Sequence, residues 1–120
     1  YLSVPRLETS ADFADAKHAY YKLYVYVKPE NLPEVWTRDG IIAAINEQGV
    51  PCFSGSASEV YLEKAFDDTG LRPEIRLPIA KQLGETSLMF LVHPTLTEAE
   101  ITQTVQALDK VLARIDADAK

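Results

Sequence analysis

The chain has little cysteine and no long apolar run. Cys52 is its only cysteine, so the chain cannot form an internal disulfide, and a reducing compartment suits it. No stretch approaches the roughly 20 consecutive apolar residues that a membrane-spanning helix needs. We therefore expect a cytoplasmic protein with no membrane partner.

Positive charge is also scarce. Twelve lysine and arginine residues stand against eighteen aspartate and glutamate residues, which gives a net charge of −6. Such a chain is repelled by the phosphate backbone of nucleic acids and by anionic lipid surfaces. We expect no nucleic acid partner.

The remaining composition is that of a folded domain. The 120 residues are 47% apolar and 25% charged, a balance typical of globular proteins and enough chain for one core. Residues 1–18 lack sustained periodicity, so we interpret them as an entry segment that joins this domain to something before it. Residues 19–120 form the predicted α/β domain. Because the only methionine is Met89, we expect that Tyr1 is not an initiator.

Two strands and a short third candidate are predicted from apolar patterning. Residues 19–28 alternate with a period of two. One face has Tyr21, Leu23, Val25 and Val27, and the other, called the tyrosine face, has Tyr20, Lys22, Tyr24 and Tyr26. The tyrosine face is a candidate partner surface. Residues 50–53 are a short strand candidate. Residues 87–92 contain five consecutive apolar residues, which indicates a central strand covered on both faces.

Capping signals predict helices between the strands. Thr37 caps a helix that ends near Gln48, where Gly49 provides a left-handed stop. A capping box formed by Ser56 and Glu59 predicts a second helix over 59–66. A third helix begins at Pro78 and ends near residue 84.

A long closing helix follows the last strand. Thr97 and Glu100 form its capping box. The apolar residues predicted for its inward face are Ile101, Val105, Leu108, Leu112 and Ile115. The predicted common core consists of Ile41, Ile45, Leu88, Phe90, Leu91, Val105, Leu108 and Leu112. The fold class is therefore α+β, with a small mixed or antiparallel sheet of about three strands and helices packed on it.

The residue types that could carry chemistry do not form a complete catalytic or metal site. Cys52 would need a neighbouring base and an oxyanion hole to act as a nucleophile, and the sequence indicates neither. His18 and His93 lie in separate elements without metal-ligand spacing. The loop Ser54-Gly55-Ser56 could offer backbone amides to an anion, or it could be a simple capped turn. We predict no catalytic residue and no metal site.

The order of several segments resembles the C-terminal domain of the DegT/StrS group of pyridoxal-phosphate-dependent aminotransferases. The resemblance extends from His18 to about Leu112. It is most specific in the strand, His-Pro and capped helix at 87–100 and in the Gly-Val turn at 49–52. The runs that carry it are HAYYK (18–22), RDGII (38–42), GVPC (49–52), RLPIA (76–80) and SLMFLVHPTLT (87–97).

This resemblance implies where the chemistry lies. In such enzymes a large N-terminal domain holds the cofactor on a lysine, and an acid pairs with its pyridine nitrogen. None of the seven lysines of this chain is assigned that role, so we expect pyridoxal phosphate in the full-length parent and none in this fragment. The resemblance implies that residues 1–18 lead in from a missing N-terminal large domain and that residues 19–120 are the C-terminal small α/β domain. In these enzymes the smaller domain closes one side of the active-site cleft. The resemblance therefore implies the substrate-cleft candidates Cys52, Phe53, Ser54, Gly55, Ser56, Tyr61 and His93.

The cleft loop departs from the common pattern of the group. Many sugar-nucleotide aminotransferases carry His-Tyr followed by Pro-Leu-His there, whereas this chain has Gly55-Ser56 and then SEVY at 58–61. A nucleotide-linked keto-sugar is the leading substrate, and another amine acceptor stays open. The parent is expected to be a homodimer that transfers an amino group from an amino acid to a keto substrate. The alternatives are a stand-alone small-molecule-binding regulatory domain and a dimerisation domain.

Overall fold

An open antiparallel sheet organises the fold in the computed structural model, which describes residues 1–5 and 19–120. Its four strands have the spatial order β1-β2-β4-β3. Three α-helices complete the described part, so the predicted α+β class is confirmed. The strands are β1 (Leu2–Ser3), β2 (Lys22–Val27), β3 (Cys52–Phe53) and β4 (Ser87–Leu91); the helices are α1 (Arg38–Glu47), α2 (Pro78–Thr86) and α3 (Glu98–Asp118).

The central strand β4 explains where the core lies. Its first four residues are buried, as its unbroken apolar sequence predicts, and it pairs with β2 on one side and β3 on the other. One face of the sheet, called the inner face here, packs against α1 and α3. The buried residues of this core are Val25, Val27, Ile41, Ala44, Ile45, Val50, Cys52, Leu88, Phe90, Ala107, Val111 and Ile115.

Three helix starts agree with the sequence signals. The Thr37 hydroxyl accepts a hydrogen bond from the backbone N–H of Gly40 at 3.0 Å, and Thr97 and Glu100 form a complete capping box. Pro78 occupies the first turn of α2. That helix ends at Thr86, two residues beyond the predicted end. Among the described residues, no helix has both the length and the apolarity to cross a bilayer.

The prediction of a helix over residues 59–66 is wrong. The segment forms two single-turn 3-10 helices, Val60–Leu62 and Lys64–Phe66, and neither has a side-chain cap. The two groups expected to form the capping box have distant partners instead. Ser56 bonds to Tyr24, and Glu59 forms an ion pair with Arg76. Tertiary contacts therefore replaced the local cap.

The inward face of α3 is only partly as predicted. Ile115 is buried, and Leu108 and Leu112 pack partly buried against the core. Val105 and Ile101 are each 52% exposed, whereas Ala107 and Val111 are buried. Two apolar stripes lie side by side on this helix, and the one through the small residue Ala107 is buried in the core.

Two further differences concern the sheet. Leu91 is 50% exposed and not in the core, because it is the last residue of β4 and its side chain lies on the face opposite Leu88 and Phe90. The sheet also has a fourth strand, β1, within the predicted leading segment. Two residues are too few to show a periodicity. Its pairing with β2 is a long-range contact that continues as a 2.7 Å hydrogen bond from Lys28 N to Tyr1 O.

Candidate functional site

The loop after β3 crosses the outer face of the sheet, which is the face opposite the core. Strand alternation and register place Lys22, Tyr24, Met89 and Phe53 on this face, with Tyr24 opposite Met89 and Met89 opposite Phe53. The Ser87 hydroxyl donates a hydrogen bond to the Ser54 carbonyl and holds the loop over the start of β4. The loop then continues to the side chains of β2.

Gly55 allows the loop to lie directly on the sheet. Its φ is +92°, and a Cβ atom there would be 2.7 Å from Cε1 of Tyr24 and 3.2 Å from Oγ of Ser87. A side chain at this position would therefore strain the backbone and overlap the rigid ring of Tyr24. Because Gly55 lets the backbone lie against the Tyr24 ring, the next residue, Ser56, reaches the Tyr24 hydroxyl.

Ser56, Tyr24 and Lys22 form a connected polar cluster, called the Lys22 cluster below. The Tyr24 hydroxyl donates to Ser56 Oγ at 3.1 Å and accepts from the Ser56 backbone N–H at 3.3 Å. Lys22 Nζ also donates to Ser56 Oγ, at 3.4 Å. The pKa of Tyr24 is lowered from its ordinary value, chiefly because the Ser56 hydroxyl can donate to the phenolate, and the charge of Lys22 adds to this effect.

Cys52 points away from this cluster and into the core. It is 1% exposed, and its backbone N–H and carbonyl are both held by the Asn46 side chain, at 3.1 and 2.9 Å. Burial raises the pKa of the thiol to about 11. Phe53, the next residue, lies on the opposite face and is 46% exposed. The structure thus separates two neighbouring cleft candidates to opposite faces of the sheet.

Tyr61 belongs to a second polar group farther along the same loop. Its hydroxyl donates to Glu59 Oε1 at 2.7 Å and accepts from the backbone N–H of Leu77 at 3.0 Å. Arg76 binds both oxygens of the Glu59 carboxylate. These donors, first Arg76 and then Tyr61, lower the pKa of Glu59 to about 2. The group fixes the far end of the loop near the start of α2.

His93 lies beyond the other end of β4. Because Lys22 pairs with Leu91, His93 follows the strand at the Lys22 end of β2, whereas Ser54 borders the Ser87 end. Its Nδ1 atom is 2.7 Å from the Thr95 hydroxyl, and the ring is exposed. No hydrogen bond in the described part of the chain joins His93 to the Lys22 cluster.

The described residues do not fit a complete pyridoxal phosphate site. Such a site needs a lysine for the imine, a carboxylate for the pyridine nitrogen and several donors for the phosphate. Lys22 is half-buried on Ser56, and the remaining described lysines are exposed. Residues 1–5 and 19–120 contain no buried side-chain N or O without a hydrogen-bond partner and no group of three metal-ligating side chains.

Two open grooves also mark the surface of the described part. One, of about 300 Å³, lies between α1 and the end of α3, where Trp36 donates to Asp118 at 2.7 Å. The other, of about 250 Å³, lies between β2 and α2. None of the predicted cleft residues lines either groove, so the crossing loop remains the candidate site.

The sequence interpretation missed Lys22 and Tyr24 as site residues. They were assigned correctly to one face of the predicted strand, but only as part of a tyrosine surface. Their spacing of two residues was the available signal, since it aims both side chains to the same side. Their link to Ser56, more than thirty residues away, depends on the tertiary fold.

Comparison with known proteins relates this fold to aminotransferases. The sequence matches no profile of a known protein family. The structure is similar to an aminotransferase from Psychrobacter cryohalolentis, with a TM-score of 0.89 and 78% identity over 97% of this chain and 29% of that one. It is also similar to the aminotransferase TlmJ from Streptoalloteichus hindustanus, with a TM-score of 0.73. The latter shares 19% identity over 96% of this chain and 27% of its own, which shows the fold alone.

These likenesses define the class of domain. The chain is an α+β domain related to part of an aminotransferase, and it spans less than a third of the length of either similar protein. The particular similarity is to the Psychrobacter cryohalolentis enzyme, which shares 78% identity over 97% of this chain.

Proposed function

We propose that this chain is the C-terminal small domain of a pyridoxal-phosphate-dependent aminotransferase of the DegT/StrS group. The observation that carries the proposal is the 78% identity to an aminotransferase over 97% of the chain, with a TM-score of 0.89. The order of sequence runs between His18 and Leu112 supports the narrower group. The parent would transfer an amino group from an amino acid to a keto substrate in the cytoplasm.

The domain's role in that reaction is to close one side of the active-site cleft. The outer face of the sheet and its crossing loop are suited to this role, because Phe53, Ser54 and Ser56 are exposed there. The cofactor lysine and its partner acid would come from the large N-terminal domain. The fragment alone is therefore inactive, and the parent works as a homodimer on a substrate such as a nucleotide-linked keto-sugar.

The test compares the complete protein with the 120-residue chain. Both are incubated with pyridoxal phosphate, dialysed, and examined by absorbance before and after addition of L-glutamate. We expect the complete protein to retain about one cofactor per chain and to change its spectrum with the amino donor, because it supplies the imine lysine. The 120-residue chain should retain no more cofactor than a lysine-rich control protein.

Two results would contradict the proposal. If the complete protein retained no cofactor and transferred no amino group, the aminotransferase assignment would be rejected. A regulatory or dimerisation domain would then be favoured. Stoichiometric cofactor on the 120-residue chain, lost when one lysine is changed, would place the catalytic centre in this domain.

A further inference from the structure

The Lys22 cluster has more hydrogen-bond donors than acceptors. Ser56 Oγ accepts two hydrogen bonds, from Tyr24 and from Lys22, which uses both of its lone pairs. The hydroxyl hydrogen of Ser56 is therefore left as a donor. The Lys22 ammonium has three N–H donors and gives one to Ser56, so two remain. The Tyr24 hydroxyl is occupied in both directions by Ser56.

No negative group balances these donors in the described part of the chain. Lys22 has no carboxylate within 4.0 Å among residues 1–5 and 19–120, although acidic residues outnumber basic ones by eighteen to twelve in the whole chain. Its other contact is the ring of Tyr21, whose centroid is 5.3 Å from Nζ. A local positive charge with converging donors in an acidic chain is suited to an anionic ligand.

The geometry holds these donors in place. Lys22 and Tyr24 project from the same face of β2, and Gly55 presses the loop onto the Tyr24 ring so that Ser56 reaches both side chains. Beside them, Leu91 lies opposite Lys22 and is 50% exposed. The site therefore offers charged donors next to apolar surface, which fits an anionic group attached to a carbon framework.

We propose that Lys22 and Ser56, held by Tyr24, bind an oxyanion of the substrate, either a phosphate or a carboxylate. That the ligand is a substrate rests on the proposed function. The anion site itself depends only on residues of this chain. Lys22 supplies charge and two N–H donors, and Ser56 supplies its O–H. Tyr24 is a positioning residue, because its hydroxyl is fully used in holding Ser56.

The experiment measures anion binding to the complete protein with its cofactor retained, by isothermal titration calorimetry. Inorganic pyrophosphate and malonate are the two probes, so that the tighter one identifies the phosphate or the carboxylate as the preferred group. The variants are Lys22→Gln, Ser56→Ala and Tyr24→Phe. Lys28→Gln is the matched control, since Lys28 directly follows β2 and is exposed.

We expect Lys22→Gln to weaken the tighter probe about tenfold or more, because a hydrogen bond from a charged donor is lost. Ser56→Ala and Tyr24→Phe should each weaken it about threefold. Lys28→Gln should leave it unchanged. Thermal unfolding of each variant shows that the fold is intact, and Ser56→Ala tests the site at an exposed loop position if Lys22→Gln is unstable.

Two results would overturn the proposal: neither probe binds the unaltered protein, or Lys22→Gln and Ser56→Ala bind as tightly as the unaltered protein does. The anion site and the proposed function can fail separately. Loss of binding in Lys22→Gln in a protein without amino transfer would keep the site and reject the aminotransferase. Unchanged anion binding by the Lys22→Gln and Ser56→Ala variants of an active aminotransferase would reject the anion site and keep the aminotransferase assignment.

Discussion

Gly55 shows how one residue decides the shape of the candidate site. Its positive φ and its closeness to the Tyr24 ring both exclude a side chain. Without this approach Ser56 would not reach the hydroxyl of Tyr24 or the ammonium of Lys22. Gly70 also has a positive φ, of 70°, but a Cβ atom there would meet nothing within 4 Å. A comparison of these two positions therefore distinguishes the cost of backbone strain from the cost of steric overlap.

Replacing each glycine by alanine tests that separation. We expect Gly70→Ala to lower the free energy of unfolding by about 1 kcal/mol, the cost of the left-handed backbone alone. Gly55→Ala should lower it by roughly 2 to 4 kcal/mol, because displacement of Tyr24 adds an overpacking cost. Urea titration of both variants provides the comparison. Equal losses would mean that the loop moves off the ring without cost.

At the scale of the element, α3 shows why an apolar pattern does not identify the buried face. Val105 and Val111 both belong to apolar stripes, yet Val105 is 52% exposed and Val111 is 1% exposed. The helix packs through Ala107, Val111 and Ile115, which are spaced four residues apart. Ala107 is buried in the same core cluster as residues of α1 and of the sheet.

The same substitution at these two positions measures the difference. Val111→Ala should lower the free energy of unfolding of the 120-residue chain by roughly 1.5 to 3 kcal/mol, because two buried methyl groups are removed and a cavity remains. Val105→Ala should change it by less than about 0.5 kcal/mol, as surface changes do. Chemical denaturation of both variants gives the values. A larger loss at Val105 would show that the other stripe faces the core.

At the scale of the whole molecule, the sheet divides the domain into a core side and an outer side. The inner face packs against α1 and α3 and contains Cys52, whereas the outer face contains the Lys22 cluster under the crossing loop. Cys52 is enclosed by elements that are distant in sequence. We therefore expect that Cys52 becomes exposed to solvent only when the core opens.

Alkylation of Cys52, the only cysteine, reports that opening. Its raised pKa, about 11, leaves little thiolate near pH 8, and its burial excludes the reagent. We expect alkylation of the native chain to be more than about a hundredfold slower than in urea. Since the unfolded thiol ionises first as the pH rises, stability should fall between about pH 9 and pH 11. Rapid native labelling would show local opening at β3.

Much of the fold could be predicted because its signals are local. The caps at Thr37 and Thr97 join residues three positions apart, and the buried sequence of β4 is continuous. The resemblance also implied that the loop from Cys52 to Tyr61 faces the substrate cleft, and this stays a prediction. The sequence did not predict which side chains the loop would meet.

The sequence by itself determined the helix starts, the central strand and the alternation of β2, because these depend on hydrogen bonds and side-chain spacing within one segment. Only the tertiary structure decided that α3 packs through Ala107, that Ser56 bonds to Tyr24 and Lys22, and that Glu59 pairs with Arg76. In each case the deciding contacts join residues far apart in the chain.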